Sequence, residues 1–270
     1  MPVIASLRRR RGNLSPLKPE VIDMKRIFSV WMAAARNLWW KLLLILIVLS
    51  AAEIALYRYT VIRYWNPDKS LMYVSQSFSS IAEGAKLSLV FFAALLALTA
   101  CCCLQGSRFS GKNLYTLQRL PCAEWQITLH WALVHLACFV ILWAVQIVLI
   151  FVLWGFYAAE FSPASPGLDL LVSIYATDLF HAVLPLADIS RWVYLVTYWF
   201  CMAFLTAVFG FFQRRGRYRI SLLIMLACYF TLIKGIGNFA SNLIFAIFCL
   251  ILVVVDSFAL WEVYHETQPN

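Results

Sequence analysis

From Trp125 to Tyr157 the sequence runs without a single Asp, Glu, Lys or Arg. A stretch of about 20 apolar residues is enough to cross the roughly 30 Å hydrocarbon layer of a bilayer as a helix. In that layer only a helix or a closed barrel satisfies its own backbone polar groups. Five more apolar runs accompany this one, at about 38–57, 87–104, 192–212, 220–233 and 242–261. The chain is 63% hydrophobic and 13% charged, whereas a soluble domain carries about 25% charge to cover its surface. The expected fold is therefore an all-α integral membrane protein with six transmembrane helices in one domain, 22–270. A basic tail, 1–21, precedes it. Loops of 105–124 and 158–191 follow the second and third spans, and no stretch is long enough for a sizeable soluble domain.

Lys and Arg near short loops resist translocation, so their distribution orients the spans. With the N-terminus in the cytoplasm, the inner segments hold Arg8 to Arg11, Lys18, Lys25, Arg26, Arg36, Lys41, Arg108, Lys112, Arg119, Arg214, Arg215, Arg217 and Arg219. That is sixteen of the 22 basic residues, leaving Arg58, Arg63, Lys69, Lys86, Arg191 and Lys234 outside. Both ends are then cytoplasmic. The same bias accounts for the net charge of +9 with no nucleic-acid partner, and it favours contact with the anionic headgroups of membrane lipids. A multi-pass protein of the cell membrane is expected. Leu42 to Leu49 followed by Ser50-Ala51-Ala52 has the look of a signal-peptide core. The long region ahead of it and the interfacial pair Trp39-Trp40 favour a retained span instead.

Residues 22–37 place Ile27, Phe28, Trp31, Ala34 and Ala35 at helical spacing among Lys25, Arg26, Arg36 and Asn37. This pattern predicts an amphipathic helix lying in the inner headgroup layer before span one. The plainer alternative is an extension of span one. The outer loop, 158–191, carries Pro163, Pro166 and Pro185. Its stretch 168–183 is apolar enough for a helix resting on or dipping into the membrane, where it could gate an outward path, and a packed surface loop is the equal alternative.

Several chemical motifs are weak or absent. The eight cysteines lie in apolar runs or in a loop placed inside, which gives no disulfide framework, and Cys101-Cys102-Cys103 reads as small packing residues. His130 and His135 point to different faces of one helix and, with His181, make no metal site. Gly106 to Asn113 nearly matches a phosphate-binding loop. However, Asn113 replaces the hydroxyl that would ligate magnesium, and no strand precedes the loop. No cofactor is expected on this chain. Glu53 in span one and Asp256 in span six are the intramembrane charges, and such groups are functional candidates by default. Structural pairing is the favoured reading, Glu53 with Lys86, Arg191 or Lys234 and Asp256 with Arg214, Arg215, Arg217 or Arg219. Substrate contact is the other.

The loop after span two is the most informative segment. Lys112 to Arg119 can form two helical turns that present Leu114, Leu117 and Leu120 with Tyr115 and Arg119. Pro121 stops them, and Glu124-Trp125 begin the third helix. A short helix held beneath the membrane is a lever for a soluble partner. With Gly111, Leu114, Leu117, Leu120 and Pro121, the loop resembles the coupling loop of permease subunits of ABC-2 type transporters, whose layout of six spans behind a basic amphipathic helix it also shares. It departs from that pattern in having Arg108 and Phe109 where an acid is common, and Cys122-Ala123-Glu124 where a Ser-Arg pair is usual. The resemblance implies a non-enzymatic exporter subunit that pairs with a second permease chain. It also implies separate ATPase subunits that bind ATP and magnesium and push on the 112–121 helix. A non-transporting assembly or sensory protein and an intramembrane enzyme are the other classes. The enzyme is disfavoured because no catalytic groups sit at matching depth.

Overall fold

A computed structural model of the chain describes residues 19–64, 77–105, 124–161, 166–234 and 238–266. Its elements are α1 (Pro19–Tyr64), α2 (Phe78–Gly84), α3 (Leu87–Gln105), α4 (Glu124–Phe161), α5 (Pro166–Ala176), α6 (Asp178–Val183), α7 (Ile189–Arg214), α8 (Ser221–Lys234) and α9 (Phe239–Glu266). The described residues contain helices and short connections only, as long apolar runs demand where lipid supplies no hydrogen bonds.

Five of these helices are long and apolar enough to cross a membrane: Leu38–Arg63, Leu87–Leu104, Trp125–Phe161, Ile189–Arg214 and Phe239–Val263. The sequence predicts a sixth span at 220–233. That segment is α8, an apolar helix of 14 residues. At 1.5 Å per residue it rises roughly 21 Å, less than the hydrocarbon layer, so by length alone it falls outside the set. Residues 22–37 also differ from expectation. They belong to the same unbroken helix as span one, 46 residues from Pro19 to Tyr64, so the chain makes no turn between the two. The cause is legible in the sequence, since residues 22–41 hold neither Pro nor Gly to interrupt the helix.

Contacts between side chains fix the direction of each helix. Arg58 near the end of α1 bonds Glu160 near the end of α4 at 3.2 Å, so these two run parallel. In α4 and α7, His135 meets Thr206 at 3.0 Å, and Trp143 packs edge-on to Trp192, with ring centroids 6.1 Å apart. Early positions of α4 thus meet late positions of α7, and the two are antiparallel. Asn242 at the start of α9 donates to Ser190 at the start of α7 at 2.9 Å, while Arg215 after α7 donates to the Val263 carbonyl late in α9 at 3.3 Å. So α7 and α9 are parallel, and α8 runs back between their opposite ends. Gly216, at φ 72°, makes the left-handed turn after α7 that starts this return.

Among the long helices α7 is the central post. Of its most apolar window 72% is buried, against 22% for α9 and 28% for α1, whose outer faces present residues such as Ile47, Val48, Ile251 and Phe258. An apolar outer face is the arrangement lipid calls for. Small residues at buried positions of α7, Ala203, Ala207 and Gly210, let neighbouring backbones approach closely.

One end of the bundle is closed by α2, α5 and α6. Phe78 of α2, 1% exposed, stacks on Phe180 of α6 at 5.3 Å between centroids and meets Trp154 and Tyr157 of α4 at 5.4 and 5.5 Å. Trp143 of α4 donates to the Val183 carbonyl at 2.9 Å and ties down the end of α6. The outer stretch 168–183 is therefore two helices broken at Thr177, and α6 is packed into the core through Leu179, Phe180, Ala182 and Val183. Lys41, the α7–α8 turn and the end of α9 lie at the other, basic end.

Candidate functional site

Residues 106–123 lie outside the described residues, and with them Leu114, Tyr115, Leu117, Arg119, Leu120 and Pro121. The two ends of that segment are described. Leaving α3 at Gln105 and entering α4 at Glu124, it is attached at the basic end of the bundle. Trp125 in the first turn of α4 is 45% exposed. One turn and a half further on, Trp131 lies under the Arg214 guanidinium, 5.8 Å from its ring centroid.

The two intramembrane acids are both buried, and Glu53 does not have the basic partner that the sequence predicts. Glu53 sits just past the middle of span one and is 0% exposed. Its partner is Gln146 of α4, also 0% exposed, whose Nε2 donates to Glu53 Oε2 at 3.1 Å. Lys86, Arg191 and Lys234 take no part. Arg191 lies 3.8 Å from Asp188, while Lys86 and Lys234 are exposed at helix ends. Burial depth explains the correction. Long basic side chains at helix ends carry their charge to the interface, whereas Glu53 faces inward across α4. The second oxygen, Glu53 Oε1, and the amide oxygen Gln146 Oε1 have no hydrogen-bond partner among the described residues. Tyr229 of α8, which donates to the Ser88 carbonyl of α3 at 2.9 Å, is within electrostatic range of the Glu53 carboxyl.

Asp256, 2% exposed in α9, accepts a short hydrogen bond from the Ser221 hydroxyl at the start of α8. Of the four arginines expected near it, Arg219 is close enough to act on its charge. The aspartate thus helps to hold the start of α8 against α9, which is a structural role.

One more polar contact, between His135 and Thr206, crosses from α4 to α7. The Thr206 hydroxyl donates to the Ala203 carbonyl at 2.8 Å, so its proton is used and His135 Nδ1 is the donor in the 3.0 Å contact between them. His135 Nε2 then faces the interior without a partner among the described residues. No group of three or more His, Cys, Asp or Glu side chains is placed to hold a metal among the described residues. At the capped end, Asp188 caps α7. Its carboxylate accepts from Ser190 Oγ at 2.6 Å and from the backbone N–H groups of Ser190 and Arg191 at 3.0 and 3.2 Å. Burial works to raise this carboxyl, but those hydrogen bonds and the Arg191 charge outweigh it and hold the group below its ordinary range.

Gln146 is the functional candidate that sequence reasoning missed. The available signal was an amide deep inside the uncharged run from Trp125 to Tyr157, whose other amide, Gln126, stands at its start. Such an amide in a span is commonly placed to bond another helix.

The chain matches no family model, no curated protein and no solved structure. Its own geometry makes it a multi-pass, all-α protein of the cell membrane, with a buried acid–amide pair between α1 and α4.

Proposed function

We propose that this chain is the membrane-spanning permease subunit of an ABC transporter of the ABC-2 type, working as an exporter. ATP and magnesium bind on separate ATPase subunits, and a second permease chain, identical or different, completes the path. In this reading α1, α3, α4, α7, α8 and α9 make six crossings, with both ends of the chain in the cytoplasm. The short α8 returns between the parallel helices α7 and α9.

One observation supports this reading above the others. The segment that carries Gly111, Leu114, Leu117, Leu120 and Pro121 is fixed at both ends to the basic end of the bundle. It runs directly into α4, and α4 is the helix that holds Glu53 of α1 through Gln146. A push on the 112–121 lever from below is therefore delivered to α4 and through it to α1, the type of rocking by which transporters alternate access. Basic end and lever then share the cytoplasmic side, where an ATPase would dock.

The test is purification of the protein from its native membrane. An ATPase carrying a phosphate-binding loop should co-purify with the wild type and be lost with Leu117→Asp or Leu120→Asp, while the thermal midpoint of the membrane subunit stays unchanged. Stable association with some other partner and no ATPase would sink the reading.

A further inference from the structure

We propose that the turn between α7 and α8 retains an anionic phospholipid, its phosphate on Arg217 and Arg219 and an acyl chain along the outer face of α8. The site is independent of the transporter reading and requires only that α8 crosses the membrane.

Arg214, Arg215, Arg217 and Arg219 stand within six residues, and from Ile189 to Val255 the chain has no Asp or Glu. Two acids of α9 come near. Asp256, buried and held by Ser221, acts on Arg219 from inside. The exposed Glu262 is next to Val263, whose carbonyl accepts from Arg215. Four positive charges against these two leave the turn basic. The guanidinium groups are also held in place. That of Arg215 lies 4.5 Å from the Phe211 ring centroid and that of Arg219 lies 4.7 Å from the Phe212 centroid. Both rings are buried to 1% exposure or less, so they make firm platforms. Arginines already fixed lose little freedom when they engage an anion, and their planar forks match phosphate oxygens. Arg217 stands at the exposed tip of the turn, beside Gly216 at φ 72°.

The length of α8 makes this turn different from the other basic segments. Its 14 residues rise roughly 21 Å, about 9 Å short of the hydrocarbon layer. A short crossing helix draws the headgroups in toward its ends. The arginines therefore sit closer to hydrocarbon than charges on the longer helices, where a counter-charge is worth more than in water. The phosphate of a lipid drawn inward supplies it. Tyr218, 82% exposed, lies at the headgroup level that phenol rings favour. Beyond it Ile220, Leu223, Ala227 and Phe230 follow at helical spacing, all exposed on one face of α8. The turn thus offers positive charge and the helix an apolar stripe leading away from it. A phospholipid with a net negative head engages both at once, a zwitterionic lipid brings its own cation, and a free phosphate ion engages the arginines alone.

The experiment titrates the full-length protein in neutral detergent with phosphatidylglycerol, with phosphatidylcholine of the same chains, and with inorganic phosphate. Native mass spectrometry reads the retained lipid, and the thermal midpoint is the second readout. The wild type should hold phosphatidylglycerol about tenfold or more tighter than phosphatidylcholine and be stabilised by it, with inorganic phosphate doing neither. Arg217→Gln with Arg219→Gln should cut that affinity about 25-fold, at roughly fivefold for each charge near a membrane surface. Arg217→Gln alone, at the exposed tip, should lose about fivefold with the lipid-free midpoint unchanged, so the result does not depend on how well the double variant folds. Arg36→Gln with Lys41→Gln removes two charges from the same end of the bundle and should leave retention as it was. Equal retention of the two lipids overturns the proposal, as does undiminished affinity in the double variant. Equal loss in the Arg36 and Lys41 variant would show diffuse surface charge in place of a site, and stabilisation by inorganic phosphate a free-anion site; either overturns it. Whether α8 crosses is read separately, by labelling at its two ends.

Discussion

Gln146 of α4 donates its amide to the Glu53 carboxyl of α1 across 3.1 Å, although the two residues are 93 positions apart in the chain. This contact fastens in the bundle interior two helices that Arg58 and Glu160 join again near their ends, and it gives them one register. Removing one partner should cost more than removing both. Gln146→Leu leaves a buried carboxyl with no donor and is expected to destabilise by about 1–3 kcal/mol. The double change Glu53→Leu with Gln146→Leu should return to within ~1 kcal/mol of the wild type, because a packed apolar pair replaces a polar one. Unfolding in mixed micelles measures both. Additive losses in the double variant would mean that the two side chains do not interact.

Phe78 carries the cap. It joins the cap to the bundle, touching Phe180 in α6 and Trp154 and Tyr157 in α4. Phe78→Ala should cost about 3–5 kcal/mol, the usual range for emptying a buried aromatic site. The loss should be local in its dynamics, with faster amide hydrogen exchange in 166–183 than in α7. Uniform exchange across all helices would show that the cap is not a separate unit.

Acid should loosen the same end. Burial and the Arg191 charge lower the His181 pKa from its ordinary 6.5 against the opposing pull of Asp188 and Asp178. The unfolded chain then takes up this proton first, so stability falls as pH drops below about 6.5 and continues to fall until the folded group is itself protonated. Asp188 is shifted down from 3.8. Its contribution is complete above that value and is lost as pH falls through the lower folded value. Both effects have the same sign, in separate windows. Taken as the difference between wild type and His181→Phe, in which the titrating groups common to both cancel, the thermal midpoint should decline between pH 7 and 5. Asp188→Ala, which removes the α7 cap, should cost about 1 kcal/mol at neutral pH.

The apolar runs announced the class of fold and five of its long helices, because hydrocarbon leaves a chain so few options. Pairing was not legible. Nothing near Glu53 in sequence points to Gln146, and a depth argument favoured Lys86, Arg191 and Lys234. That argument ignored which way each side chain faces, and facing is set by packing among all the helices. The unbroken helix from Pro19 stood in the sequence only as the plainer alternative, for a different reason. Amphipathic periodicity marks a face but not a bend, and without Pro or Gly the backbone had no cause to turn. The stretch 168–183 read equally as one helix or as a packed loop and not as two helices, since Thr177 is a weak breaker and α6 owes its place to tertiary contacts with Phe78 and Trp143.

The passage of α8 decides the topology. Fourteen residues are too few by length to count as a span, but the contacts at both ends of α7 and α9 make those helices parallel, and a parallel pair requires a return between them. Asn242 with Ser190 marks one end and Arg215 with Val263 the other. Tyr218 ahead of α8 is 82% exposed and Phe239 after it is 65% exposed, so either can be replaced by cysteine without emptying a packed site. In a Cys122→Ser background, a membrane-impermeant maleimide applied to sealed right-side-out vesicles should label Phe239→Cys and spare Tyr218→Cys, and inverted vesicles should reverse the pattern. A bilayer that thins locally or wets the ends of α8 accommodates the roughly 9 Å shortfall against a 30 Å layer. If both cysteines label from one side, α8 does not cross, the chain has five crossings, and its two ends lie on opposite sides of the membrane.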